Sequence, residues 1–126
     1  MKHIDIISKM TLEEKIAFCS GKSFWETRDF EHHGIPSLFL SDGPHGLRKQ
    51  EGNGDHLGLN SSVSTTCFPT STAVAATWDT ELAEEMGKAL GKEAIEVGSH
   101  VVLGPGTNMK RNPLCGRNFE YYSEDP

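Results

Sequence analysis

Apolar residues in this chain fall into short clusters with clear punctuation, separated by long stretches of no period. Thr11-Leu-Glu-Glu-Lys-Ile-Ala-Phe-Cys-Ser-Gly21 places Leu12, Ile16 and Cys19 on one helical face. Thr11 and Glu14 have the spacing of a capping box, in which each side chain bonds the other residue's backbone. Gly21 stands where a left-handed residue would stop the helix. Ser37-Leu-Phe-Leu-Ser-Asp42 is a compact apolar run between Gly34-Ile-Pro and Asp-Gly-Pro, the pattern of a strand buried in a parallel sheet. From Asp79 to Gly98 the pattern returns to helix: Asp79 caps it, Leu82, Met86, Ala89, Leu90 and Val97 line one side, and Gly98 ends it. Val101-Val-Leu-Gly104 reads as the next buried strand, and Pro105-Gly106 breaks it.

Strand, long loop, helix and strand form the βαβ grammar, which predicts a parallel sheet with a right-handed crossover. Residues 43–69 show neither helical nor strand period, and a loop of that length in a compact domain is functional or disordered. In sheets and barrels of this kind the chemistry sits where strands end and loops begin. The two such points here are Asp42-Gly-Pro-His45 and Gly104-Pro-Gly onward to Arg117.

Composition narrows the partners. The chain has 126 residues, 36% of them hydrophobic and 24% charged, enough for one small soluble domain. A net charge of −6 without a basic stripe disfavours nucleic acid. No apolar segment has the length of a membrane span, and Met1-Lys-His-Ile-Asp lacks a signal peptide's apolar core. Cys19, Cys67 and Cys115 are odd in number and far apart, which predicts small buried hydrophobes in a reduced, cytoplasmic setting rather than disulfides or a zinc site.

Asp42 follows an apolar strand, so its carboxylate is expected to project from the sheet's end and accept from adjacent sugar hydroxyls. Starting an Asp-Gly turn serves the local sequence equally well. His45 reads as a histidine bonded to backbone in a tight turn ahead of a ligand or proton shuttle. Arg117 offers a planar fork of donors for hydroxyls or carboxylates, against which stands an ion pair with Glu120, Glu124 or Asp125. Glu120 and Glu124 do not read as a catalytic pair, because one element cannot easily flank a scissile bond from two sides. Trp25 and Trp78 fit sugar-stacking platforms less well than core or rim anchors.

In order, Met10-Thr-Leu-Glu-Glu-Lys-Ile, Ser20-Gly-Lys-Ser-Phe-Trp25, Gly34-Ile-Pro-Ser and Ser41-Asp-Gly-Pro-His-Gly-Leu-Arg48 resemble the N-terminal part of a glycoside hydrolase family 3 β-glucosidase. So do Thr66-Cys-Phe-Pro69, Ala75-Ala-Thr-Trp-Asp79, Leu103-Gly-Pro-Gly-Thr-Asn-Met and Arg111-Asn-Pro-Leu-Cys-Gly-Arg-Asn-Phe-Glu-Tyr-Tyr-Ser-Glu-Asp-Pro126. The resemblance covers nearly the whole chain. It implies an α/β fold, with residues 1–126 as the first βα units of a (β/α)8 TIM-like barrel left incomplete. It implies a retaining exo-hydrolase acting on small β-linked glycosides, and neither metal nor organic cofactor.

The resemblance also assigns Asp42 and Arg117 to the grip on the terminal sugar, and gives Trp25 and Arg48 structural or rim roles. The family's nucleophile lies in a Ser-Asp-Trp-type segment, and Ser41-Asp42 is followed by Gly43 instead. Neither that segment, nor the downstream Lys-His pair, nor the acid/base glutamate has a counterpart here. The expectation is therefore a truncated chain that carries no catalytic residue, is inactive by itself and is prone to aggregate or stay partly molten. A β-xylosidase or broader exo-glycosidase, a non-catalytic sugar-binding remnant and a functionless pseudogene product are the alternatives.

Overall fold

The computed structural model describes residues 2–43, 45–52 and 59–125. Pro44 of the Asp-Gly-Pro turn, residues 53–58 of the long 43–69 excursion, Met1 and Pro126 lie outside the described residues. Among the described residues, six regular elements follow in order: α1 (Ile4–Lys9), α2 (Leu12–Phe18), β1 (Leu40–Asp42), α3 (Ser71–Thr77), α4 (Thr80–Glu96) and β2 (Val101–Leu103). Two short 3-10 turns, Glu31–His33 and Asn118–Glu120, complete the set. None of these helices is long and apolar enough to cross a membrane.

The capping box of α2 is present in full. Thr11 Oγ1 accepts from the Glu14 N–H at 3.2 Å, and Glu14 Oε2 accepts from the Thr11 N–H at 2.8 Å. The stop differs from expectation, because the helix ends at Phe18 with Cys19 in a right-handed conformation at φ −77°. Gly21 sits instead in an antiparallel bridge to Thr27, where a Cβ would lie 2.7 Å from the Ser23 carbonyl oxygen. Close approach of backbone, rather than a left-handed turn, requires glycine at that position.

β1 and β2 pair in parallel, with Leu40 opposite Val101, Ser41 opposite Val102 and Asp42 opposite Leu103. The first half of the predicted strand is diverted. Leu38 donates to Thr27 Oγ1 at 2.8 Å and its carbonyl accepts from the Thr27 N–H at 2.9 Å, so the 26–27 segment takes the place of a sheet neighbour. His100 Nδ1 accepts from the Phe39 N–H at 3.0 Å and ties the entry of β2 to β1. Ser41 is fully buried, but Val101 and Leu103 are exposed, so neither strand is covered throughout as its apolar run predicts. A two-stranded sheet has too few neighbours to close over both faces.

Asp79 caps α4 by accepting from the Leu82 N–H at 3.0 Å, and Gly98, at φ +69°, closes it. Ala94 is the buried residue of this helix, with Met86 and Leu90 partly covered, while Leu82 and Ala89 of the predicted stripe face outward. The last turn has no cation of its own. Lys49 supplies one from the loop, donating to the Val97 carbonyl and lying 4.6 Å over the Phe39 ring. α1 and α3 were not foreseen from the pattern. Each spans under two full turns, and only the cap of α3, with Thr70 Oγ1 accepting from the Ala73 N–H at 3.3 Å, marks it locally. The three cysteines are free and exposed, which corrects their reading as buried hydrophobes. Cys19 follows α2, whose Leu12 and Ile16 are themselves exposed, so the face that would bury them is bare.

Candidate functional site

Asp42 is the last residue of β1, and the chain beyond it is forced into a tight return. Gly43 takes φ +119° and Gly46 φ +135°, and a Cβ on Gly43 would stand 1.8 Å from the Gly46 carbonyl oxygen. Only glycine fits such a geometry. The Arg48 N–H then donates to the Asp42 carbonyl at 2.8 Å, which brings the loop back beside the strand it left. Leu47, almost completely buried, anchors the return, and its carbonyl accepts from Thr65 Oγ1 at 2.6 Å. The Asp42 side chain is exposed at the strand's carboxyl end, and its Oδ1 accepts from the Gly43 N–H at 3.0 Å. It starts a turn and projects from the sheet at once, so the two readings of Asp42 do not exclude each other.

His45 reaches the start of α3. Its Nε2 accepts from the Ser71 N–H at 3.2 Å and lies 3.0 Å from Ser71 Oγ, while its carbonyl accepts from the Phe68 N–H at 2.8 Å. Accepting from a backbone N–H engages the lone pair of Nε2. The expectation of a backbone-bonded turn histidine holds, with a partner 26 residues away.

The segment after β2 closes the other side. The Gly104–Pro105 peptide is cis, and Gly106 runs so close to Tyr121 that a Cβ there would meet the ring at 2.9 Å. Lys110 donates through its backbone N–H to the Ser123 carbonyl at 3.0 Å and through Nζ to Thr72 Oγ1 at 3.1 Å. Thr72 Oγ1 in turn donates to the Tyr121 carbonyl at 3.2 Å. These contacts bind the segment around Asn118–Glu120 to the first turn of α3, close to His45.

Arg117 grips Glu120 with two N–H groups, one from Nε to Oε1 and one from the terminal nitrogen to Oε2 at 3.0 Å. This pairing, together with the charges of Glu120, Tyr121 and Asp42, raises the already high Arg117 pKa. The Arg117 bond pulls the Glu120 carboxyl below its usual range. Arg117 and Glu120 therefore form one ion pair in the segment that follows β2. Arg117 remains largely exposed, and the pair uses two of the five N–H donors of its guanidinium. Both readings of Arg117 coexist: it is ion-paired, and part of its fork is left over.

The other candidates stand apart. The Trp25 indole N–H donates to Gln50 Oε1 at 3.0 Å, which gives it an anchoring role. Trp78 is 92% exposed at φ +56° just past α3, so it is no core anchor. Two apolar clefts lie elsewhere. One of about 540 Å³ is lined by Ile6, Ile7, Met10, Phe18 and Ile35, and another of about 430 Å³ by Phe68, Val74, Leu82 and Met86. The links from His45 to Ser71 and from Lys110 to Thr72 escaped sequence reasoning, because each spans more than 25 residues; the i to i+3 spacing of Arg117 and Glu120 was the one local signal.

Comparison with known proteins bears on this geometry. Residues 31–126 match the family model described as the glycosyl hydrolase family 3 N terminal domain. Thermostable beta-glucosidase B of Acetivibrio thermocellus is 54% identical over 121 residues, 96% of this chain and 16% of that protein. An exo-alpha-(1->6)-L-arabinopyranosidase of Bifidobacterium longum is 46% identical over 121 residues, 95% of this chain and again 16% of that protein. The crystal structure of a beta-glucosidase from Kluyveromyces marxianus in complex with glucose aligns with a TM-score of 0.85 at 42% identity, over 97% of this chain and 14% of that one. The chain thus spans about one sixth of the length of the relatives it matches.

Proposed function

The chain belongs to glycosyl hydrolase family 3, and from that premise we propose that the protein is a retaining, exo-acting β-glucosidase that releases terminal β-linked glucose from small glycosides. Residues 1–126 form the N-terminal part of its barrel, with β1 and β2 among the opening strands of a (β/α)8-like arrangement. Asp42 and Arg117 hold the terminal sugar. The carboxylate accepts from adjacent hydroxyls, and the donors of the fork that Glu120 leaves over point to hydroxyl oxygens. The nucleophilic aspartate and the acid/base glutamate belong to other segments, so these residues alone grip a sugar without lowering the chemical barrier.

The observation that carries this reading is that the loop beyond Asp42 and the segment of Arg117 reach the same first turn of α3, His45 at Ser71 and the Tyr121 carbonyl at Thr72. In the protein expressed from its complete reading frame, Asp42→Ala should lower kcat/KM on an aryl β-glucoside by on the order of a hundredfold with circular dichroism unchanged. Arg117→Lys, which keeps the charge and loses the fork, should cost on the order of tenfold. Full activity in Asp42→Ala would remove the proposal.

One observation favours a broader exo-glycosidase: a relative named for arabinopyranoside cleavage is as similar as several named for glucosides. Rates on aryl β-glucoside, β-xyloside and α-L-arabinopyranoside, measured side by side, decide between the two.

A further inference from the structure

Two adjacent histidines, neither of them used above, converge on the glutamate of the α2 capping box. His32 Nε2 lies 2.6 Å from Glu14 Oε1, and His33 Nε2 lies 3.2 Å from Glu14 Oε2. The three donor atoms all fall within 4.8 Å of one another. Local structure explains the convergence. The turn Glu31–His33 is closed by Gly34 at φ +70°, whose N–H donates to the Glu31 carbonyl at 2.9 Å, and it sets the two rings 4.2 Å apart, centre to centre, tilted by 46°. The capping box fixes Glu14 at the start of α2, so its carboxylate is already oriented. His33 and Glu14 are mostly covered, whereas His32 opens to solvent.

We propose that Glu14, His32 and His33 form a surface site for a divalent transition-metal ion of the zinc type, which staples α2 to the 31–33 turn. Two neutral imidazoles and one carboxylate are a donor set that zinc takes, with water completing the tetrahedron. Zinc bonds of about 2.0–2.1 Å place tetrahedral donors about 3.3 Å apart. The His33 contact already meets that spacing, and the exposed His32 ring has to move to bring both imidazoles around one ion. The ligands come from positions 14 and 32–33, so the ion would join segments that β-sheet pairing leaves separate. Its role is structural, and no step of glycoside hydrolysis runs through it.

The test uses the full-length protein, stripped with a chelator and titrated with Co2+ under visible absorption, then with Zn2+ in competition. The expected result is a saturating d–d spectrum at a single equivalent, displaced by Zn2+, and a higher melting temperature with Zn2+ present. His32→Ala and His33→Ala together should weaken binding by on the order of a hundredfold and abolish the thermal shift. Glu14→Gln keeps the capping box, since glutamine also serves in it, and should still weaken binding by on the order of tenfold. Absence of a Co2+ spectrum, or equal binding by the double histidine variant, would overturn the proposal.

Discussion

The helices and the loops of this chain divide the work unequally. α2 and α4 are complete in local terms, each with a side-chain cap, yet they expose much of their apolar surface: Leu12 and Ile16 on the first, Leu82 and Ile95 on the second. The loops beyond β1 have no period at all, yet Leu47 is buried in them, and Ser41 and Ser71, which bound them, have almost no accessible surface. Helix formation follows from nearest neighbours, so it survives where tertiary cover is thin. The loop geometry depends on contacts between residues far apart, such as those that bring His45 and the Tyr121 carbonyl to the first turn of α3.

A glycine substitution in each region tests this division most severely. Gly43→Ala places a methyl group on the Gly46 carbonyl at a left-handed φ, and should cost about 3 kcal/mol or more, because backbone strain adds to a steric clash. Differential scanning calorimetry should show a lowered first transition, and the return to Arg48 should open. Near-native melting of this variant would mean that the loop is softer than its contacts imply.

That asymmetry also decides what could be read from the sequence. Thr11, Glu14, Asp79 and Gly98 announce their helices because a cap acts within three residues. The parallel pairing of Ser37–Asp42 with Val101–Gly104 was legible in kind, and its extent was not, since Thr27 captures Leu38 from eleven residues upstream. Gly21 misled because a glycine needed for close backbone approach looks the same as one needed for a left-handed turn. The motifs around Asp42 and Arg117 were legible in the sequence. The hydrogen bonds from His45 to Ser71 and from Lys110 to Thr72 were not, because no spacing rule links such distant residues. The cysteines were misjudged for a related reason: burial depends on neighbours that local sequence does not supply.

Smaller effects sharpen the contrast from the helical side. Asp79→Ala removes the acceptor for the Leu82 N–H and should cost about 1 kcal/mol, read as roughly fivefold faster amide exchange in the first turn of α4. Gly87→Ala goes the other way. A Cβ at Gly87 meets nothing within 4 Å, so alanine should stabilise α4 by about 0.5–1 kcal/mol and slow exchange along its middle. Opposite signs for Gly43→Ala and Gly87→Ala would confirm that one glycine is there for its backbone and the other for no packing reason.

The smallest effect probes whether the rim is held by charge. Glu120 has its pKa lowered by the Arg117 bond, so the pair favours the folded state wherever Glu120 is ionised there. A depressed folded-state pKa contributes stability that is fully present above the unfolded value and lost as pH falls through the folded one. The loss should therefore begin near the ordinary value of 4.5 and finish below it, and no change is expected between pH 6 and pH 8 from this group. Because Arg117 is mostly exposed, added salt should shrink the effect. An NMR titration of the Glu120 carboxyl carbon should give a midpoint under 4.5, moving upward in Arg117→Ala. A midpoint at 4.5 in both proteins would show that backbone contacts, such as Lys110 to Ser123, hold the segment without the ion pair. The loop side of the molecule would then owe its order to hydrogen bonds and glycine alone.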